Sequence, residues 1–207
     1  MINFSVIAMI ASFAYAIESI FGFGGTIIFL GISGLFYDFN SLLKLALFVA
    51  ISSGLAVLIQ SYKYLSWKHL ISILLHTIPG ALLGTYLITY LNSGLLLRLF
   101  AMILITYGCF NLFFPNRNIP NFLKKGLVIL GGLIQGIYTI GGPFVLMGYK
   151  DRFSSKQELR STMAGYFFLI NLSRAIFLII LGESYVDIIY TYYPVAILVM
   201  VSVWLGY

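Results

Sequence analysis

The chain has 207 residues, of which 61% are hydrophobic and 9% charged, with a mean hydropathy of +1.02 and a formal net charge of +6. A soluble domain carries about 25% charged residues, so these proportions exclude a largely water-facing surface, and lipid must solvate most of the chain. The basic residues sit in short loops between apolar runs, which excludes a nucleic-acid surface and fits membrane topology instead.

A bilayer span takes about 20 apolar residues. In chain order the sequence predicts apolar segments at roughly 3–37, 42–61, 69–91, 94–114, 126–149, 160–181 and 187–207. The first is not expected to be a signal peptide, because it lacks a basic start, contains Glu18 and runs into glycines. Short polar connectors separate the segments, and Tyr62, Tyr64 and Trp67 suit a membrane interface. Lys44 and Arg160 each open the span that follows a glycine-rich segment and are expected to anchor it at that interface. His76, three residues before Pro79, reads as a hydrogen-bonded histidine beside a proline kink. Cys109 is the only cysteine, so an intramolecular disulfide and a thiolate metal cluster are excluded, and it is expected to be a small buried hydrophobe.

Two segments are broken and alike. Glu18-Ser-Ile-Phe-Gly-Phe-Gly24-Gly25-Thr26 aligns with Gln135-Gly-Ile-Tyr-Thr-Ile-Gly141-Gly142-Pro143 at an offset of 117 residues. Adjacent glycines each weaken a helix interior by about 1 kcal/mol relative to alanine, and proline suits the first turn of a new helix. Each segment is therefore expected to hold two half-helices. Freed backbone in a bilayer is tolerated only inside protein or along a cavity, so each break should face a site.

Each broken segment either crosses the membrane as a kinked helix or turns back as a re-entrant hairpin. If 126–149 turns back, Lys63, Lys68, Arg117, Lys124, Lys125, Lys150, Arg152, Lys156 and Arg160 share one face, against Lys44 and Arg98 on the other. The positive-inside rule prefers that distribution and makes loops 61–68, 115–125 and 150–158 cytoplasmic, in a cell (inner) membrane. The expected fold is an all-α polytopic membrane protein of two pseudo-symmetric, inverted repeats, each opening with a Gly-broken helix or re-entrant hairpin. Residues 1–114 form the first repeat, 115–125 the connecting loop and 126–207 the second repeat, which lacks a counterpart of 94–114.

Half-helices that begin inside a membrane aim unpaired N–H groups and a positive dipole end at the cavity, which suits an anion. The candidate donors are the backbones of Gly24, Gly25, Thr26, Gly141, Gly142 and Phe144; the competing role for such glycines is close helix packing. Around the second break, Gln135, Tyr138, Thr139 and Pro143 join the candidate solute-binding set, with Asn171 and Arg174 one span later on a shared helix face. Glu18 is a candidate proton-coupling group or a cap for freed N–H groups, and a candidate partner of Arg174. No enzyme motif, metal cluster or cofactor site is expected.

Gly22–Thr26 and the glycine-spaced run from Gly131 to Pro143, followed by Asn171 and Arg174, resemble the two motifs of the sulfite exporter TauE/SafE family of permeases. The resemblance covers essentially the whole chain. It implies two similar halves and transport of a small sulfur-containing or carboxylate anion. Thr26 stands where that family commonly has a third glycine, and a final span would be expected beyond Tyr207. The expected function is secondary anion transport by alternating access; a passive facilitator and a truncated, non-transporting membrane protein are the alternatives. The expected partners are a small anionic solute and the lipid bilayer, with a second copy of the chain as a further candidate and no nucleic acid.

Overall fold

The computed structural model describes residues 4–113 and 120–206. Pro115, Arg117 and much of the expected connecting loop lie outside the described residues, as does Tyr207. The described chain is helical: α1 (Phe4–Phe21), α2 (Gly25–Ser33), α3 (Phe39–Ser61), α4 (Trp67–Ile88), α5 (Ser93–Phe113), α6 (Asn121–Tyr138), α7 (Gly142–Tyr149), α8 (Lys156–Ile180) and α9 (Val186–Gly206). Among these, α1, α3 with the following turn to Tyr64, α4, α5, α8 and α9 are long and apolar enough to cross a membrane.

Both broken segments turn back on themselves. In a continuous helix Tyr15 and Thr26 would lie about 16 Å apart along the axis, yet their hydroxyls are 3.0 Å apart and Phe29 packs against the Tyr15 ring. Likewise Gly148, at the end of α7, packs against Lys124 and Val128 at the start of α6. The hairpins open toward opposite ends of the bundle. Lys124 pairs with Asp151 at 2.9 Å, and the same end holds the Ser66–Thr162 and His69–Glu158 contacts. The α1–α2 hairpin opens at the other end, where Phe4 stacks on Tyr192 and Asp38 accepts the Ser93 hydroxyl at 2.6 Å.

Two long helices, α3 and α8, pack against each other at the centre, with α4 lying on α6 and α1 on α9. The α4–α6 contact is unusually close because glycines form it: Gly132 faces the Thr77 backbone and Gly136 the Ala81 carbonyl, leaving no room for a Cβ. Helix α5 is peripheral, with only Leu96 and Phe100 buried. Its position overturns the expectation for Cys109, which is exposed. An apolar run in a membrane protein can face lipid rather than protein, so apolar neighbours do not imply burial.

Candidate functional site

The two breaks meet. Glu18, Gly24 and Thr26 of the first and Thr139, Gly142 and Pro143 of the second line one cavity, walled by Ala50 of α3 and by Phe167 and Asn171 of α8. In this conformation it leaves about 20 Å³ for the centre of a water-sized sphere, enough for roughly one water.

The breaks are built differently. At the first, Gly22 and Gly24 take left-handed backbone angles (φ 86° and 104°) that only glycine adopts freely. At the second the left-handed residue is Thr139 (φ 64°), uncommon for a β-branched side chain. Gly141 has an ordinary φ of −68°; its role is proximity, because a Cβ there would collide with the Gly131 carbonyl.

The aligned polar side chains do the same job in both copies. Glu18 Oε2 accepts the Gly25 N–H at 2.8 Å, while its Oε1 accepts the Ser53 hydroxyl at 3.2 Å. Gln135 Oε1 accepts the Gly141 N–H at 2.7 Å, and its Nε2 donates to Asn171 Oδ1 at 2.9 Å. Each therefore caps the half-helix that follows and ties its tip to a central helix. The difference is charge: the N-terminus of α2 already holds a carboxylate, whereas that of α7 holds a neutral amide.

Beside the second break lies Arg174, only 2% exposed. Its guanidinium donates to Thr85 Oγ1 at 3.0 Å, Thr139 Oγ1 at 2.8 Å, Asn171 Oδ1 at 3.1 Å and the Gly136 carbonyl at 2.6 Å. These are neutral acceptors. Among the described residues the ion pairs are Lys44–Glu183, His69–Glu158 and Lys124–Asp151, so no carboxylate neutralises this charge. The expected pairing of Arg174 with Glu18 is not made, because the Glu18 oxygens are bound to Gly25 and Ser53. Asn171 is fully buried; its oxygen takes both donors, which leaves Nδ2 without a partner at the cavity wall.

Not every predicted residue reaches the cavity. Gly25, Gln135 and Gly141 stand one layer behind it, as caps and capped groups. Tyr138 is core: it packs on Phe39 and Phe100 and donates its hydroxyl to the Leu96 carbonyl at 3.0 Å. The Phe144 N–H, offered as a donor, is bonded to the Gly141 carbonyl at 3.1 Å. Arg174 touches the cavity only through Thr139 and Asn171. Sequence reasoning missed Phe23, Ile27, Ala50, Ile140 and Phe167 as lining residues, for which an apolar run offers no signal. Ser53 was findable, since Ser52-Ser53-Gly54 interrupts an otherwise apolar span. Lys44 and Arg160, expected as anchors, reach inward: Lys44 to Glu183, and Arg160 to the Ser19 carbonyl near the first break. His76 is hydrogen-bonded, as expected, to the Ser72 carbonyl at 2.6 Å, in the helix that contains Pro79.

A family model described as Sulfite exporter TauE/SafE matches residues 7–207. No curated protein and no solved structure matches the chain.

Proposed function

The chain belongs to the sulfite exporter TauE/SafE family, whose members are membrane transporters rather than enzymes, and from that premise we propose that it carries a small sulfur-containing anion of the sulfite or sulfonate type, bound between the two hairpin tips. The observation that carries this reading is the buried Arg174, without a carboxylate partner, beside the unpartnered Nδ2 of Asn171. A buried charge is expensive unless it is compensated, and an anion is the missing partner. The N-terminus of α7 adds the positive end of a helix dipole.

The halves are inverted repeats in this reading. It is supported by the offset of 117 residues, by the matched caps Glu18 and Gln135, and by hairpins that open at opposite ends. Loops 61–68 and 150–158, together with the Lys124 end of α6, are cytoplasmic by the positive-inside rule. Glu18 faces the same cavity as the solute, so its ionised form opposes anion binding and its protonation favours it. That makes it the candidate coupling group. The contracted cavity favours alternating access over an open pore, since the site must widen to admit anything larger than water.

The test is anion-dependent thermal stabilisation of the purified protein by sulfite, thiosulfate, methanesulfonate and small carboxylates. Asn171→Asp keeps the oxygen that serves Gln135 and Arg174 but replaces the unpartnered donor with a negative atom. Stabilisation by sulfur oxyanions that disappears in Asn171→Asp supports the proposal. Equal stabilisation of both proteins would overturn it.

A further inference from the structure

Arg174 has a second side. Four hydrogen bonds use four of its five N–H donors, and Arg174 also lines a separate cavity of about 160 Å³ between α3, α4, α8 and the residues before α9. Leu178 lies one helical turn beyond Arg174 in that cavity, and Lys44, Glu183 and Tyr185 line it further out. Lys44 and Asn40 line, in addition, a wider cavity of about 430 Å³ that includes Ser184 and Asp187. The three cavities therefore form a series. Lys44 stands at the junction of the outer two, and Arg174 stands between the middle one and the Thr139–Asn171 wall of the innermost.

The middle cavity holds two cationic side chains and one carboxylate. The carboxylate, Glu183, is bonded to Lys44 at 2.5 Å, with both side chains about one-third exposed (36% and 33%). An ion pair so wetted is weakly held, and a diffusing oxyanion offers Lys44 an equivalent partner. Arg174, by contrast, is buried and fixed by its four bonds, with its charge beside the cavity.

We infer that this series of cavities is the solute's passage to the inner site from the end of the bundle where α3 and α9 begin, and that Lys44 and Arg174 form a second oxyanion subsite in it, closed at rest by Glu183. The inference rests on the inner anion site proposed above. It assigns Lys44 an anion-relay role in place of lipid anchoring. Glu183 is the group the solute displaces.

Charge-selective thiol labelling tests the passage without requiring transport. In a Cys109→Ser background, Leu178→Cys places a thiol beside Arg174; Leu47→Cys, in the same cavity, serves if the first variant does not fold. The protein is treated with an anionic sulfonatoethyl methanethiosulfonate or its cationic trimethylammonium analogue. The middle cavity, with two cations to one carboxylate, should favour the anionic reagent by about tenfold or more. Glu183→Gln should raise that preference, Lys44→Gln should remove most of it, and methanesulfonate should slow the reaction. A faster cationic reagent, a preference unaffected by Lys44→Gln, or no labelling at either position overturns the inference. Anion-selective labelling together with failed inner-site binding would instead retain the passage and refute the inner site.

Discussion

The Glu18 carboxylate turns back onto the Gly25 N–H, 2.8 Å away, so the first half-helix carries its own anion at its N-terminus. The equivalent place in the second half is filled by the neutral Gln135. A site assembled from two similar tips is thereby polarised: the α7 side, with Arg174 behind it, attracts an anion, and the α2 side repels one.

Replacing Glu18 by glutamine should therefore copy the second half into the first. The amide oxygen can still cap Gly25, so folding should survive. Removing a negative charge that lines the proposed anion site should tighten anion binding by about tenfold or more. Affinity in the wild type should fall as rising pH ionises Glu18, and in Glu18→Gln it should be nearly flat. Calorimetric titration with methanesulfonate at several pH values measures both effects; parallel pH profiles would remove Glu18 from coupling.

Arg174 holds the second break and stands behind the proposed anion site, so two substitutions separate these roles. Arg174→Ala strips partners from the Gly136 carbonyl and from Thr139 in its strained conformation. It should cost about 2–4 kcal/mol of stability and abolish anion binding. Arg174→Lys keeps the charge but loses the planar fork. It should remain the more stable of the two and retain weak binding. Thermal melts with and without methanesulfonate report both quantities.

The α4–α6 seam makes a contrast between glycines of one helix. Gly132→Ala drives a methyl into the Thr77 backbone, whereas a Cβ at Gly126 would meet open space. Gly132→Ala should destabilise by about 1–3 kcal/mol through overpacking, while Gly126→Ala should be neutral or stabilise by up to about 1 kcal/mol through helix propensity. Equal melting temperatures for the two variants would contradict the close seam.

Asp38 caps α3 through the Ser41 N–H at 2.9 Å and ties it to α5 through Ser93. The Ser93 hydroxyl, followed by the Ser41 N–H, holds its pKa below the usual 3.8. A lowered folded-state pKa means the stabilisation is present above the unfolded value and is lost as pH falls through the folded one. Asp38→Ala should cost about 1 kcal/mol at neutral pH, and the difference from wild type should shrink in strong acid. Melting curves at both pH values check the sign.

The broken segments were legible in the sequence because paired glycines inside apolar runs are conspicuous, and the loop lysines and arginines pointed to a hairpin for 126–149. The first hairpin had no such charge signal; only its likeness to the second suggested it. Other features were hidden for physical reasons. The left-handed turn of the second break falls on Thr139 rather than on either adjacent glycine, and a β-branched residue gives no sign of it in the sequence. Tyr138 and Thr139 are neighbours in sequence, yet one packs in the core and the other lines the cavity, a distinction set by where α6 ends. Lys44 looked like an anchor because a span begins beside it, and its partner Glu183 is distant in sequence.

The proposed anion occupies the space between the two tips. Ala50 lines that space without any side-chain hydrogen bond to lose, so Ala50→Val fills it with methyl groups and leaves the polar network intact. Calorimetric titration of wild type and Ala50→Val with sulfite and methanesulfonate is the most direct measurement. An anion bound between the tips should give saturable binding to the wild type and an affinity lower by about tenfold or more in the variant, with a melting temperature close to wild type. An unchanged affinity in a folded Ala50→Val protein would place the solute elsewhere and contradict binding between the tips.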